Sequence, residues 1–315
     1  MHGSCLVTGG AGFIGSHLAE ELVQRGFQVR ILDNFSTGKK ENLAAFRNAV
    51  DLIEGDIRDL ETCRTAVSGM DYVFHEAALA SVPLSVEDPF LTNDINVGGT
   101  LNMLWASKEA GIKKLVFASS TSVYGDNPEL PKREDMSGVP LSPYALSKWI
   151  GEKYCQSFSL IYGIPAVGLR YFNVYGPRQD PKSQYAAAVP IFITRMLAGQ
   201  RPVIYGDGEQ TRDFVFVRDV VEANILAAGK EGVSGQVFNI ASGEAFSVNA
   251  LARMIGDVAG VPIAPEYAPG RPGDIRHSSA DIRKAEAGLG YKPGYGFRRG
   301  LELTLAWYRK KERSS

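Results

Sequence analysis

The chain has 315 residues, with 34 Lys and Arg against 35 Asp and Glu and a formal net charge of −1, which excludes a nucleic-acid binder held by bulk positive charge. A content of 44% apolar and 22% charged residues is that of an ordinary globular protein. Three scattered cysteines (Cys5, Cys63, Cys155) share no metal-ligand spacing, MHGSCLVTGG lacks a signal-type apolar core and no run of about 18 apolar residues occurs, so reduced thiols and a cytoplasmic location are expected.

Short apolar runs alternate with longer helical patterns. Ser4–Thr8 reads as a buried strand and Ile14–Arg25 as a helix that stops at Gly26. Strands are predicted at Gln28–Asp33, Val50–Glu54, Tyr72–Glu76, Lys114–Ser119 and Ala166–Tyr171, with helices between them. Asp88–Ala110 is long enough for one full helix, and Pro143–Tyr162 for another that starts on proline, whose missing N–H costs nothing there. This alternation predicts right-handed βαβ units and a parallel α/β sheet. After Tyr171 the rhythm breaks. Gly176–Tyr185 is polar and turn-rich, Val189–Ala198 is helical, and Phe214–Val217 and Val237–Ile240 read as strands that rejoin the sheet. Later helices are expected at Ser247–Gly260 and Leu301–Lys311.

LVTGGAGFIGSHL joins the first strand to the first helix, with Gly9, Gly12 and Gly15 in a GxxGxxG spacing. Gly9 permits the tight turn, Gly12 lets backbone approach a pyrophosphate, and Gly15 lets helix and strand pack closely. The phosphates would sit at the helix N-terminus, where free N–H groups and the helix dipole favour anions. Asp33 ends the second strand, 18 residues after Gly15. A carboxylate there accepts both ribose hydroxyls of an adenosine and repels a 2′-phosphate, which favours NAD over NADP; a helix cap or surface role is the plainer alternative. Asp56 in GDIRD could accept from an adenine amino group.

SPYALSKW sets Tyr144 and Lys148 one helical turn apart on one face. A phenol is a poor base at neutral pH, and an adjacent ammonium should lower its pKa enough to let it take a hydroxyl proton while hydride leaves. Such pairs also arise by chance on surfaces. The position after ASSTSVYG strengthens this one, because Ser119 and Ser120 finish a strand and ligands bind beyond strand carboxyl ends. Ser120 could hydrogen-bond the reacting oxygen; loop capping is the alternative.

TGGAGFIG, Asp33, GDIRD, the serine cluster, YALSK and RYFNVYGPRQ, taken in order, resemble the extended short-chain dehydrogenase/reductase family over nearly the whole chain. RPGDIRHSSAD makes the sequence most similar to the UDP-hexose 4-epimerases. ASVPLS, RQDPKSQYAAAVP and GDGEQTRDF resemble the subgroup acting on UDP-N-acetylglucosamine. The resemblance implies a doubly wound parallel-sheet Rossmann domain with a smaller α+β substrate domain. NAD would occupy residues 1–173 with a return segment near 212–242, and the UDP-sugar residues 174–315. Tyr144 would be the base, Lys148 its electrostatic partner and Ser120 the hydroxyl contact.

Along NAD the resemblance places Gly9, Gly12, Phe13, Ile14, Gly15, Asp33, Asn34, Ser36, Thr37 and Gly38. It adds Asp56, Ile57, Phe74, Ala77, Ala78, Asn96, Ser119 and Tyr171, with Tyr144 and Lys148. Toward the sugar nucleotide it implies Ser81, Val82, Ser120, Ser122, Tyr144, Asn173, Ala187, Ala188, Val189 and Phe192. Val203, Tyr205 and Val248 would flank the nucleoside, Arg212 and Arg271 would clamp the diphosphate, and Asp274 would accept from the ribose. Small Ser278 would leave room for an N-acetyl group; a simple turn role is the alternative. Net redox is zero, so NAD should stay tightly bound, and no metal is expected. A homodimer is implied, through Asp88–Ala110 and Pro143–Tyr162. Rival readings are an epimerase restricted to non-acetylated sugars, a UDP-glucuronate 4-epimerase, a 4,6-dehydratase, a decarboxylase, or a non-catalytic NAD-binding sensor.

Overall fold

A computed structural model describes residues 2–181, 187–261, 264–270 and 276–312. The first half builds β1 (Ser4–Thr8), α1 (Phe13–Gln24), β2 (Gln28–Asp33), β3 (Val50–Glu54), α2 (Leu60–Val67), β4 (Tyr72–His75), α3 (Val82–Glu87), α4 (Pro89–Asn93), α5 (Gly99–Ala110), β5 (Lys114–Ser120) and α6 (Pro143–Tyr162). The second half adds β6 (Ala166–Tyr171), β7 (Asn173–Tyr175), α7 (Ala188–Leu197), β8 (Val203–Tyr205), β9 (Thr211–Phe216), α8 (Val217–Gly229), β10 (Val237–Ile240), β11 (Ala245–Ser247), α9 (Val248–Ala259), β12 (Glu266–Ala268), α10 (Arg283–Leu289) and α11 (Phe297–Glu312).

Seven parallel strands form the main sheet in the order β3-β2-β1-β4-β5-β6-β10. Successive strand side chains alternate between two cores. Cys5, Val7, Phe74 and Val116 pack with α1, α8 and α10, while Leu6, Val73, Leu115 and Phe117 pack with α2, α5 and α6. With both faces covered, these strands are continuous apolar runs, which is why they were legible. The order reverses between β1 and β4, so a crevice opens there at the carboxyl ends.

The remaining strands make a smaller mixed unit. β9 pairs parallel with β7 and antiparallel with β11, and β8 pairs with β12. Around them Val189, Phe192, Phe214, Leu251, Phe297 and Leu305 form a third core. The expectation that Phe214–Val217 rejoins the main sheet is therefore corrected: only β10 does so, beside β6. The strand also begins earlier, at Thr211, because buried Asp213 accepts from the Ser242 and Gly243 N–H groups and can stay inside it.

The expected single helix over Asp88–Ala110 is interrupted. Asp88 caps α4 by accepting from the Leu91 N–H, Pro89 opens it, and a π turn spans Asp94–Gly98 before α5. The other long helix matches its expectation. The Ser142 Oγ accepts from the Ala145 N–H at its start, and Gly163, at φ 69°, ends it. Among the described residues no helix is long and apolar enough to cross a membrane.

One ion pair lies inside the sheet–helix junction. The Arg170 guanidinium on β6 donates twice to the Glu152 carboxylate on α6, at 2.8 and 2.7 Å, with both side chains buried. Breaking such a pair from one side leaves an uncompensated charge. Arg170→Met should therefore cost about 3–5 kcal/mol, seen as a lower urea midpoint. The double variant Arg170→Met/Glu152→Leu should recover most of that loss; equal stability of single and double variants would contradict this.

Candidate active site

The chain leaves β1 at Gly9 with φ 65°, and the Gly9 N–H donates to Leu32 O at 2.8 Å. A Cβ at Gly9 would lie 2.8 Å from Ala77 N, and one at Gly15 would lie 2.2 Å from Gly9 O, so both sites require glycine. A Cβ at Gly12 would meet only the Gly9 carbonyl, at 3.1 Å. Gly12 is the N-cap of α1; no side chain caps this turn and it holds no acidic residue. The first N–H groups, including those of Phe13 and Ile14, therefore suit an anion.

Asp33 ends β2 beside this turn and is buried. Its two oxygens accept from the Ala11 N–H and the Phe35 N–H, each at 2.8 Å. A carboxylate has about four acceptor positions, so two remain for a pair of hydroxyls. Burial raises its pKa, opposed by those two N–H groups. A Cβ at Gly38 would sit 2.7 Å from Asp33 Oδ1, so glycine keeps this carboxylate approachable. Asn34, Ser36 and Thr37 form the exposed loop between. Asn34 donates to Asp56, and the Arg58 guanidinium holds Asp56 well below the usual carboxylate range. Ile57 packs inward. An uncapped glycine turn beside a carboxylate with spare acceptor positions is a donor set that fits a dinucleotide with free ribose hydroxyls.

The ends of β4, β5 and β6 meet the start of α6. Ser119 Oγ donates to Glu152 Oε1 at 2.5 Å, which ties it to the Arg170 pair. Ser120 Oγ accepts from the Ser122 N–H at 3.2 Å, and its hydroxyl acts on the Tyr144 phenol to lower its pKa. Lys148 is buried, and its Nζ donates to Ala118 O at 2.8 Å. Desolvation pushes the Lys148 ammonium down to about 8, with the Glu76 charge opposing. The expectation of a lowered phenol pKa is corrected for the protein alone. Burial raises Tyr144 above its ordinary value, and the Ser120 hydroxyl only partly opposes this.

Phe74 is also corrected. It is fully buried in β4, against Val7 and Val116, and its side chain packs into the core. Two residues on, past the strand end and on the same face, stands Glu76, which the sequence reading missed. Its Oε1 accepts from the Tyr171 hydroxyl at 2.7 Å, and Asn224 of α8 donates to that same hydroxyl at 2.7 Å. Burial pushes the Glu76 carboxyl up to about 7. A lone Glu among apolar and small residues in FHEAALA was the available signal. Next to it, His75 lies between the Thr8 and Thr100 hydroxyls, at 2.8 and 3.0 Å, and burial pushes it down to about 3, so it is neutral.

Asn96, in the π turn, is fully engaged. It accepts from the Leu79 N–H and donates to Leu79 O and Ser147 Oγ, fixing the segment after Ala77 and Ala78 to α6. That segment leads to Ser81, the N-cap of α3, and to exposed Val82. Ser122 Oγ is buried with no hydrogen-bond partner.

From the smaller unit, Asn173 donates to Asp213 O at 3.0 Å and keeps its carbonyl oxygen. Ala187 and Ala188 open α7, while Val189 and Phe192 turn into the third core. Val203 and exposed Tyr205 bound β8, Val248 starts α9, and the Arg212 guanidinium donates to Thr211 O. Buried Ser278 donates its N–H to Thr211 O at 3.1 Å, one residue from Arg212. Arg271 and Asp274 lie outside the described residues.

The family model described as "NAD dependent epimerase/dehydratase family" matches residues 5–241. A putative UDP-glucose 4-epimerase of Methanocaldococcus jannaschii is 42% identical over 311 residues, 98% of this chain and 99% of that protein. The structure of a UDP-N-acetylglucosamine 4-epimerase from Methanobrevibacter ruminantium, in complex with UDP-N-acetylmuramic acid, is 44% identical with a TM-score of 0.94, covering 98% of each chain. A UDP-glucose 4-epimerase from Thermotoga maritima, with UDP-glucose, is 42% identical with a TM-score of 0.93, covering 98% of this chain and 99% of that one.

Asp33→Asn should weaken a dinucleotide with free ribose hydroxyls by about 10- to 100-fold, the worth of a charged hydrogen-bond acceptor, as measured by calorimetric titration of stripped protein. Unchanged affinity would refute the ribose role.

Proposed function

The chain belongs to the NAD dependent epimerase/dehydratase family, and on that premise we propose that it is an NAD-dependent UDP-sugar 4-epimerase that interconverts UDP-N-acetylglucosamine and UDP-N-acetylgalactosamine, and also UDP-glucose and UDP-galactose. The observation that carries this reading is the meeting of Tyr144, Ser120 and Lys148 at the carboxyl end of β5, beside the glycine turn after β1. Residues 1–173, with a return segment near 212–242, would hold the cofactor, and residues 174–315 the nucleotide sugar. Three buried free thiols, Cys5, Cys63 and Cys155, suit a reducing cytoplasm.

Bound NAD supplies a reversible two-electron acceptor that takes hydride from the sugar C4 and gives it back. The Tyr144 phenolate takes the 4-hydroxyl proton, and the Ser120 hydroxyl holds the reacting oxygen. Lys148 keeps a positive charge near the phenolate and so favours the ionised form. The 4-keto sugar then turns about its diphosphate link while the UDP end stays anchored by Arg212, Arg271 and Asp274. Binding energy distant from the reaction thus retains the intermediate. Tyr144 returns its proton as the opposite face is reduced, so atoms and electrons balance as an isomerisation.

Position 278 decides the sugar. Ser278 is small and held by Thr211 beside Arg212, which supports space for an acetamido group next to the diphosphate anchor. A bulky ring there would exclude that group by clash. A second copy is the partner we assign to the helical face where α3 and α4 pack on α6. It exposes Val86 at 63%, Phe90 at 83%, Leu160 at 86% and Ile161 at 65%, apolar side chains that a monomer leaves in water.

Purified protein without added NAD should convert UDP-N-acetylglucosamine to UDP-N-acetylgalactosamine, followed by chromatography. Tyr144→Phe should lower kcat by about 10²–10⁴-fold. Ser278→Tyr should abolish acetylated turnover and spare that of UDP-glucose; retained acetylated turnover overturns the sugar assignment. Sedimentation should show a dimer that Leu160→Glu splits, and a persistent wild-type monomer refutes the interface.

A further inference from the structure

Lys148 and Glu76 reach the end of β5 from opposite faces of the sheet. Lys148 rises from α6 and donates to the carbonyl of Ala118 on β5. In the register of β4 with β5, His75 is level with Phe117, so Glu76 comes level with Ala118 itself. Phe74 packs on the α1 and α8 side, and period-two alternation puts Glu76 on that side also, in line with its bond from the Tyr171 hydroxyl, which Asn224 of α8 also bonds. The register therefore brings the carboxylate and the ammonium to the end of β5 from opposite faces.

We propose that Glu76 is a positioning residue for the reaction: its carboxylate keeps the charge on Lys148, and so sets the alkaline limit of the enzyme. The proposal rests on the epimerase reading for its kinetic readout alone. The other groups around the pair supply no competing anion. On β4 His75 is neutral, on β6 the Tyr171 hydroxyl is a donor to Glu76, and Asn224 on α8 is uncharged. On α6, Tyr144 is a neutral phenol whose pKa burial raises, and Glu152 is consumed by the bidentate Arg170 pair. Burial alone would strip the Lys148 proton at mildly alkaline pH. Glu76 opposes that, and the Tyr171 and Asn224 hydrogen bonds fix where its charge stands. Neutralising Glu76 therefore lowers the Lys148 pKa, and a neutral amine no longer supports a phenolate.

The test is Glu76→Gln in the NAD-loaded enzyme, since the amide oxygen still accepts from Tyr171 and removes only the charge. The alkaline limb of kcat should move to lower pH, with a loss of about tenfold at pH 8 and less than about twofold at pH 6, while KM stays within about twofold. Independently of turnover, the ¹³Cε signal of Lys148, assigned by its loss in Lys148→Met, should titrate at lower pH in Glu76→Gln than in wild type. A uniform loss of kcat at every pH with an unmoved Lys148 titration overturns the proposal and leaves a structural role. If Glu76→Gln does not fold, the wild-type Lys148 signal decides: two inflections, the lower one from Glu76, support the coupling, and a single inflection refutes it. A shifted lysine titration in protein inactive on every UDP-hexose would instead count against the epimerase reading alone.

Discussion

Desolvation at the carboxyl end of the parallel sheet is the constraint on which the site depends. Tyr144, Lys148 and Glu76 are each pushed toward their neutral forms by burial: the phenol and the carboxyl upward, the ammonium downward. Proton abstraction from a sugar hydroxyl needs the opposite, a phenolate beside a cation. A lysine one turn away on the same helix is therefore insufficient in the protein alone. In the proposed reaction the charged forms would have to be supported by each other and by what fills the cleft, which would tie ionisation of Tyr144 to a loaded site.

The fold supplies that support through register. β4, β5 and β6 end side by side, and each delivers one part: Glu76, then Ser119 and Ser120, then Tyr171. Beneath them the Glu152–Arg170 pair receives the Ser119 hydroxyl and fixes α6 against β5 and β6. Above them Asn96 holds the Leu79 segment to Ser147 on α6. The helix that carries Tyr144 and Lys148 is thus held at both levels, and a side chain that must meet a reacting oxygen has little freedom to drift.

Much of this was legible in the residues. Strands buried on both faces read as apolar runs, and the glycine spacing and the Tyr144/Lys148 interval are local features that tertiary context did not alter. What was not legible depended on distant pairing. β9 looked like another core strand, yet it pairs with β7 and β11, because Asp213 finds its partners 29 and 30 residues away in Ser242 and Gly243. The π turn at Asp94–Gly98 leaves no periodicity signal, and Asn96 within it accepts from the Leu79 N–H, 17 residues back in the chain. Phe74 and Glu76 lie two residues apart on one face, and only the strand's end point decides which is core and which is site. The Tyr144–Lys148 spacing shows the neighbouring charge but conceals the depth of burial, so the raised phenol pKa was not legible.

The most direct test is a titration of the Tyr144 phenol by ¹³Cζ-tyrosine NMR, assigned with Tyr144→Phe, in stripped and NAD-loaded protein and again in Lys148→Met. The account predicts a pKa above the ordinary value of about 10 in stripped protein. It predicts a fall below that value when NAD is bound, and no such fall in Lys148→Met. A phenol that titrates at the same pH with and without NAD, or that falls equally in Lys148→Met, would contradict it.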